Sequence, residues 1–350
     1  MPEKPLKPIT LKELADHLGL SRSTVSRIVN GEATDYRIAE ETQQRVLQAA
    51  ALLGYTANSL ARSLRQKRSY TIGVIVSEIA EGYSTAVLGG IEDELLSNGF
   101  FYFVVSHRNR DELLNGYPRM LISRSVEGII AIDTPLTQDL PVPLVFVSGH
   151  RQFPGAVTIQ IDHAQAAHLG LSHLKSLGHT RIAYIKGTSF SSDTEQRWQA
   201  ITEAATELGL PIDPALVVQL QSAEPGNGPG NEATRQLLQS GHPFTAIFAF
   251  NDVTAIGAIQ ALREAGLRVP KDISVLGFDD VLAASTSNPP LTTIRQPLHD
   301  MGQAAASTLL AIIRDELDDD LPSTFTVHPD LIVRKSTSHA PHLLSGVPAA

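Results

Sequence analysis

The sequence predicts an α/β protein of doubly wound parallel sheets with a small helical module in front, and three observations carry that expectation. From residue 70 onward, nearly continuous apolar runs alternate with stretches of helical periodicity, the pattern of strands buried on both faces and covered by helices. The first tenth of the chain instead packs two capped helical segments around Gly19. Charge divides with them: residues 1–68 hold 11 Lys and Arg against 7 Asp and Glu, a net +4, and the remainder is −13, together the −9 of the 350-residue chain.

The helical module reads ITLKELADHLGLSRSTVSRIVNG over residues 9–31. Thr10 caps a first helix whose Glu13 reaches back in a capping box, and Leu11, Leu14, Ala15 and Leu18 repeat at helical spacing. Gly19 permits a turn that most side chains would strain, and Ser21 caps a second helix through Arg22, Ser23, Thr24, Val25, Ser26 and Arg27. Val25 and Ile28 form its apolar stripe, so Arg22, Ser23, Ser26 and Arg27 face outward. That is a helix-turn-helix whose second helix enters a major groove. Arginine reads guanine through two hydrogen bonds, while Ser and Thr hold phosphate or accept either base. A helix pair inside a core is the competing reading, and short polar side chains around a single apolar stripe disfavour it. The local positive charge supplies phosphate attraction here, and the acidic remainder discourages wrapping by DNA.

In the α/β body, strands are expected at 71–76, 101–106, 128–133, 144–148, 181–186, 246–250 and 273–278, with helices at 84–98, 163–177 and 252–265. Open α/β sheets bind ligands at the carboxyl ends of their strands. Asn251 and Asp252 follow the AIFAF strand, Asp279 and Asp280 follow SVLGF, and Arg197 starts a helix after IAYIKG. Amide and carboxylate groups there suit hydroxyl ligands, and a guanidinium holds two ligand oxygens in one plane. Asp252 and Asp280 also read as caps of the helices that follow, the better reading for Asp252. Phe190 and Trp198 flank Arg197 and read equally as walls for an apolar ligand face and as core.

Other classes are excluded or unsupported. At this length two or three domains with large cores are expected. Cysteine is absent, which rules out disulfides and thiolate metal sites. No apolar run approaches the ~18 residues that span a bilayer and no signal-peptide core opens the chain, so a cytoplasmic, non-membrane protein is expected. The loop Gly226-Asn227-Gly228-Pro229-Gly230 lacks dinucleotide and P-loop spacing and reads as a surface turn. Among 12 scattered histidines, His339 and His342 fall in a Ser/Pro/Ala-rich tail expected to be disordered, so neither metal nor cofactor is predicted. Asp315 to Asp320 is an acidic run on a solvated face. No G-x-S-x-G elbow, HExxH or catalytic carboxylate pair is present, so the chain is not read as an enzyme.

After TVSRIVNG come, in order, Glu40-Glu41-Thr42, Arg45-Val46, Leu53-Gly54-Tyr55 and Asn58-Ser59-Leu60-Ala61-Arg62-Ser63-Leu64. On these residues the chain resembles the LacI/GalR family of transcription regulators from Ile9 to about Val333. It departs from the family at Ala57, where proline is usual, and in a longer loop holding Tyr36 and Arg37. The resemblance implies a DNA-binding domain over 8–57, a hinge helix and linker over 58–69, a sensor like periplasmic binding proteins over 70–340, and a tail over 341–350. It divides the sensor into 70–161 with 295–324 and 162–294 with 325–340, the chain crossing near Ile161, Ile294 and Phe325.

The resemblance also implies contacts. DNA falls to Thr10, Ser21, Arg22, Ser23, Thr24, Ser26, Arg27 and Asn30, and to Asn58, Ala61, Leu64 and Arg65 of the hinge. Residues 59–65 are too few for a stable lone helix and by themselves read as a linker. In the family, two such segments pair across a dimer and push a leucine, here Leu64, into the minor groove, bending the duplex. Arg197, Asn251 and Asp279 become the main effector contacts, joined by Tyr83, Ser148, Phe190 and Gln296, although Tyr83 lacks the family's usual context. The implied protein is a homodimeric regulator, usually a repressor, on double-stranded pseudo-palindromic DNA. A small effector in the cleft, a sugar or sugar derivative ahead of a nucleobase or nucleoside, controls it with a sign the sequence leaves open. No heptad beyond Ser336 supports a tetramer. A sensor without DNA and an enzyme on the same layers are the competing classes.

Overall fold

The computed structural model describes residues 9–31, 33–55, 68–80, 82–136, 138–148, 155–221, 226–316 and 322–341. The chain divides into two compact units at Ser69 and Tyr70.

The first unit holds α1 (Leu11–Leu18), α2 (Arg22–Val29) and α3 (Glu40–Leu52). Helices of eight residues are marginal alone, so caps and a shared core must hold α1 and α2. The capping box at α1 is complete: the Thr10 amide donates to Glu13 Oε2 (2.7 Å) and the Glu13 amide to Thr10 Oγ1 (3.3 Å). Gly19 closes α1 at φ 65°, a left-handed conformation that glycine adopts without strain. Ser21 Oγ accepts from the Thr24 amide (3.1 Å), a bond of ~1 kcal/mol. Leu14, Ala15, Val25, Ile28, Val46 and Ala50 pack together as the core. Leu14 is fully buried, and its truncation to alanine is expected to cost ~2–5 kcal/mol.

The second unit contains, among the described residues, two six-stranded sheets. In the first, β1 (Thr71–Val76), β2 (Phe101–Ser106), β3 (Gly128–Ile132), β4 (Leu144–Val147), β5 (Val157–Ile161) and β11 (Thr324–Val327) run parallel in the order β11-β5-β4-β3-β1-β2. The second holds β6 (Ile182–Lys186), β7 (Val217–Gln219), β8 (Ala246–Ala249), β9 (Ser274–Asp279), β10 (Thr292–Arg295) and β12 (Asp330–Ile332), in the order β12-β10-β9-β8-β6-β7. Only β12 runs antiparallel to its neighbour.

Strand periodicity explains the continuous apolar runs. In β1, Ile72, Val74 and Val76 pack with α4 (Gly82–Ser97) and α11 (Leu298–Arg314), while Ile75 joins Leu121 of α5 (Asp111–Ser123) on the opposite face. The second sheet is covered likewise by α6 (His163–Ser176) and α7 (Thr194–Glu207) on one side and α8 (Gly228–Gln239) and α9 (Asp252–Glu264) on the other. A short α10 (Leu282–Thr286) follows β9.

The expected strands are present, and their ends differ informatively. Asp133 and Ser148, placed inside strands by the sequence, lie one residue beyond them at φ 41° and 54°. The chain leaves the sheet there because these residues turn away from it. Three further corrections follow. Gly228, Pro229 and Gly230 form the first turn of α8 rather than a surface turn. Their glycine serves packing: a Cβ on Gly230 would collide with the Thr254 backbone, and one on Gly257 with the Asn227 carbonyl. The third crossing follows Val327 rather than Phe325, because Thr324–Val327 lies along β5 and closes the edge of the first sheet. The segment ending in His339 is not loose: the Ser336 hydroxyl donates to the Val275 carbonyl (2.6 Å), and the Ala340 amide to Leu177 (2.8 Å). Asp315, first of the acidic run, closes α11 in a left-handed cap. His342 and Asp318 to Asp320 lie outside the described residues. Among the described residues, no helix is long and apolar enough to cross a membrane, and no cluster could hold a metal.

Candidate functional site

Two surfaces carry the chemistry the sequence singles out. On the first unit, Arg22 and Ser23 stand exposed on the first turn of α2, where helix amides and dipole favour a phosphate. Thr10 and Ser21 are also exposed, but their oxygens are engaged in the caps, and Ser21 Oγ lies 2.8 Å from Thr24 Oγ1. Ser26 is half-buried, and Asn30 Nδ2 donates to its carbonyl (2.7 Å) and hydroxyl (3.2 Å). Arg27 is half-buried too, its guanidinium 3.6 Å above the ring of Tyr36. Sequence reasoning marked the Tyr36 loop as unusual without seeing this stack. Asn58, Ala61, Leu64 and Arg65 lie outside the described residues.

The second surface lies between the strand ends of the two sheets. Arg197, one turn into α7, is buried between the rings of Phe278 (3.7 Å) and Phe250 (4.5 Å). Its Nη1 donates to the Phe250 carbonyl (2.5 Å) and its Nη2 to Asp193 (3.1 Å). Its Nε, like Gln296 Oε1, is buried without a hydrogen-bond partner. Gln296 Nε2 donates to Asp279 Oδ1 (2.7 Å) at the end of β9. Burial holds the Asp279 carboxyl well above the usual range although Arg197 opposes this. Asn251 caps α9 by accepting from the Thr254 amide (2.9 Å).

The neighbouring acids are structural, but neither is the simple helix cap the sequence suggested. Asp252 accepts from Thr293 Oγ1 (2.5 Å) and the Val281 amide (2.9 Å), tying the start of α9 to β10 and to the turn after β9, and burial pushes it up to about 7. Asp280 pairs with Arg334 (2.6 Å) and Arg295 (2.8 Å).

From α4, which covers the first sheet, the Tyr83 hydroxyl donates to Ser148 Oγ (2.6 Å). Burial raises Tyr83 well above the usual phenol value, so it stays a neutral donor. Four residues that the sequence reading did not select complete the cleft: Asp133, Ser191, Ser192 and His107. Asp133 Oδ1 accepts from the Ser192 amide (2.9 Å) and the Ser191 hydroxyl (3.3 Å). The Ser192 hydroxyl lies 2.8 Å from Asp133 Oδ1 and 2.7 Å from the Ser148 carbonyl, bridging the loop before α7 to the first sheet. Burial and the Asp193 carboxylate push Asp133 up to about 6. Its position at a strand's carboxyl end was a legible signal, hidden by counting it within the strand.

The seven predicted effector residues therefore separate. Tyr83 meets Ser148; Gln296 holds Asp279; Arg197 lies against Phe250, the neighbour of Asn251; Phe190 stands 53% exposed at the rim. Trp198 packs edge-on to Tyr184 (5.6 Å), a core contact. A cavity of about 320 Å³ beneath Phe190 reaches Leu136 and Phe146, and one of about 80 Å³ reaches Asp133 and Asn251. On its interior side, a gap of about 10 Å³ lies between Arg197, Tyr184, Trp198 and Ile201.

Residues 10–58 match the bacterial regulatory proteins of the lacI family, and residues 171–337 match a periplasmic binding protein-like domain. The HTH-type transcriptional repressor PurR of Pasteurella multocida is 32% identical over 335 residues, covering 93% of this chain and 98% of that protein. The Lac repressor dimer bound to operator and the anti-inducer ONPF superposes with a TM-score of 0.83 at 30% identity, over 95% of this chain and 100% of the other. A complex of the transcriptional regulator CelR with cellobiose gives 0.69 at 28% identity, over 94% and 99%. Similarity of that extent reaches from the reading helix through both sheets, and so the chain belongs to the LacI family, as a DNA-binding transcriptional repressor under effector control rather than an enzyme.

Proposed function

We propose that this repressor acts in the cytoplasm as a homodimer on a pseudo-palindromic operator, and that a small carbohydrate bound between its two sensor subdomains sets operator affinity. The observation that carries the effector reading is the bridge from Ser191 and Ser192 to Asp133 and the Ser148 carbonyl. A ligand entering there must keep or replace bonds between the two subdomains, and so acts with different affinity on their open and closed poses. Coupling of ~1–3 kcal/mol is the usual size of such an effect.

The division into a reader over 8–57, a hinge over 58–69 and a sensor over 70–340 belongs to this proposal. So do the DNA contacts of α2 and the hinge. Tyr83, Ser148, Phe190, Arg197, Asn251, Asp279 and Gln296 make the cleft, with Asp133 and Ser192 added. A sugar is supported by hydroxyls and carboxamides at the strand ends and by the cellobiose complex of a relative. Dimerisation is supported by Leu96 (59% exposed) and Phe101 (60%), apolar side chains at the end of α4 and on the edge strand β2, and by the dimeric state of the Lac repressor structure. One helix-turn-helix reads only a few base pairs, and two-fold symmetry doubles the site.

The test selects tight sites from genomic fragments with the full-length protein at low and moderate salt, with and without a sugar panel. A palindrome whose affinity one sugar shifts is the expected result, and the direction separates inducer from corepressor. Binding that stays sequence-independent and vanishes at moderate salt overturns the proposal.

A further inference from the structure

Beyond β12 the chain forms a strap across the amino ends of the second sheet. The Lys335 amide donates to the Pro290 carbonyl (2.9 Å), the Ser336 carbonyl accepts from the Val275 amide (2.8 Å), and the Ala340 amide donates to Leu177 (2.8 Å). Between them the Ser338 amide donates to Ser274 Oγ (3.0 Å). Two histidines complete the hold. His173 Nε2, on α6, lies 3.0 Å from Thr337 Oγ1, and His179 Nε2, just past α6, lies 2.9 Å from the Ser338 carbonyl.

Both contacts suit neutral rings. A carbonyl only accepts, so His179 Nε2 carries the hydrogen and Nδ1 takes the Thr245 hydroxyl (2.9 Å). A further proton would arrive on Nδ1, facing a hydroxyl that must turn round, on a residue with no exposed surface. Burial holds both histidines below the usual imidazole value, and the charges of His173 and His339 lower His179 further. The bonds of the two rings go to hydroxyls and a carbonyl, none to a carboxylate. Around them, Lys175 on α6, Arg181 before β6 and Lys335 on the strap are positive, and His168 on α6 can become so. The carboxylates of neighbouring elements are exposed, as Glu203 and Glu207 on α7 and Asp330 on β12 are, or held by arginines, Asp272 by Arg268 and Asp280 by Arg334. A cavity of about 460 Å³ bounded by Arg181, His339 and Pro341 reaches Thr245, so water comes within one hydroxyl of His179.

The strap is also tied to the cleft. Thr337 Oγ1 lies 3.1 Å from Thr292 Oγ1, which accepts the Arg334 amide (3.0 Å), and the Arg334 guanidinium holds Asp280 (2.6 Å), the neighbour of Asp279. We propose that residues 335–340 are an acid-released strap: protons taken up by His173 and His179 free it from the second sheet, and the turn of Asp279 and Asp280 loosens with it. Released rings take protons that docked rings refuse. Docking is therefore fully favoured above the usual histidine value of about 6.5 and weakens as pH falls below it. Each histidine supplies about a tenfold shift of the opening equilibrium between pH 7 and 5.5.

Hydrogen exchange of the full-length protein, read by mass spectrometry and corrected for the intrinsic pH dependence of amide exchange, tests this. Protection over 335–340 should fall about tenfold per histidine between pH 7 and 5.5, with residues 279–284 following, while β8 holds. His173→Gln and His179→Gln together should remove the pH dependence in both places, since glutamine keeps a donor and takes no proton. His179 is fully buried, so His173→Gln alone, which should remove about half the effect on a logarithmic scale, keeps the test open if the double variant does not fold. Strap protection unchanged over this range, a fall undiminished in the variants, or an equal fall in β8, which is global unfolding, overturns the proposal. A strap that opens while 279–284 stay protected overturns its reach to the cleft.

Discussion

The reader and the cleft use the same residue types under opposite physical conditions. Arg22 stands exposed on a short helix, held in place by a serine cap one residue away, so its guanidinium is free to meet a ligand from water. Arg197 is 5% exposed, stacked between two rings and bonded to Asp193, and every group around it depends on every other. The first arrangement separates recognition from stability. The second merges them, because a buried charge without its partners costs several kcal/mol.

The largest expected effect breaks that contrast if it fails. Arg197→Ala leaves Asp193 buried beside Asp279 without its cation and should destabilise the sensor by ~3–5 kcal/mol, read as a lower urea midpoint. Loss below 1 kcal/mol would show that the cleft tolerates open charge as the reader does. Next comes pH. Asp133 and Asp252 sit at about 6 and about 7, above the ordinary carboxylate value, so the folded state holds protons that the unfolded chain releases. Their contribution to stability is complete below the ordinary value and is lost as pH climbs through about 6 and about 7. These two carboxyls therefore favour a higher melting temperature as pH falls from 7.5 towards 6, against His107, His173 and His179, whose pKa values burial lowers and which act the other way. Asp252→Asn should remove its share of the rise; a pH slope left unchanged by Asp252→Asn refutes the assignment.

On the reader, Arg22→Ala is expected to leave folding within ~0.5 kcal/mol and to lose ~1–3 kcal/mol at one base position of each half-site, measured by binding to a set of single-base operator variants. Uniform loss across all sequences identifies a phosphate contact instead. This division mirrors what could be read beforehand. Thr10 meets Glu13 and Ser21 meets Thr24, each pair three residues apart, so spacing alone disclosed the caps and the exposed face. Strand ends disclosed Asn251 and Asp279 for the same local reason. The bond from Ser192 to Asp133 joins residues 59 apart, and the Gly230 and Gly257 contact joins two helices across an intervening strand. No periodicity encodes such meetings. Asp280 shows it most plainly, read as a helix cap and found between two arginines from elsewhere in the chain.

Tyr36 is where the contrast blurs, because it brings a nonlocal contact to the exposed surface. Its ring is 52% exposed and lies 3.6 Å beneath the Arg27 guanidinium, in a loop where Arg37 takes a left-handed φ of 52°. An arginine stacked on an aromatic face keeps its donor edge open and loses rotamer freedom before DNA arrives, so less is lost on binding. Exposed cation–π contacts are worth ~0.5–1 kcal/mol, and Tyr36→Ala should weaken operator binding by about that amount, with Tyr36→Phe restoring it. If Tyr36→Phe is as weak as Tyr36→Ala, the hydroxyl rather than the ring is at work, and Tyr36 touches the operator itself. Measured in an Arg27→Ala background, the loss from Tyr36→Ala should disappear, since a positioning residue has no effect once the side chain it positions is gone.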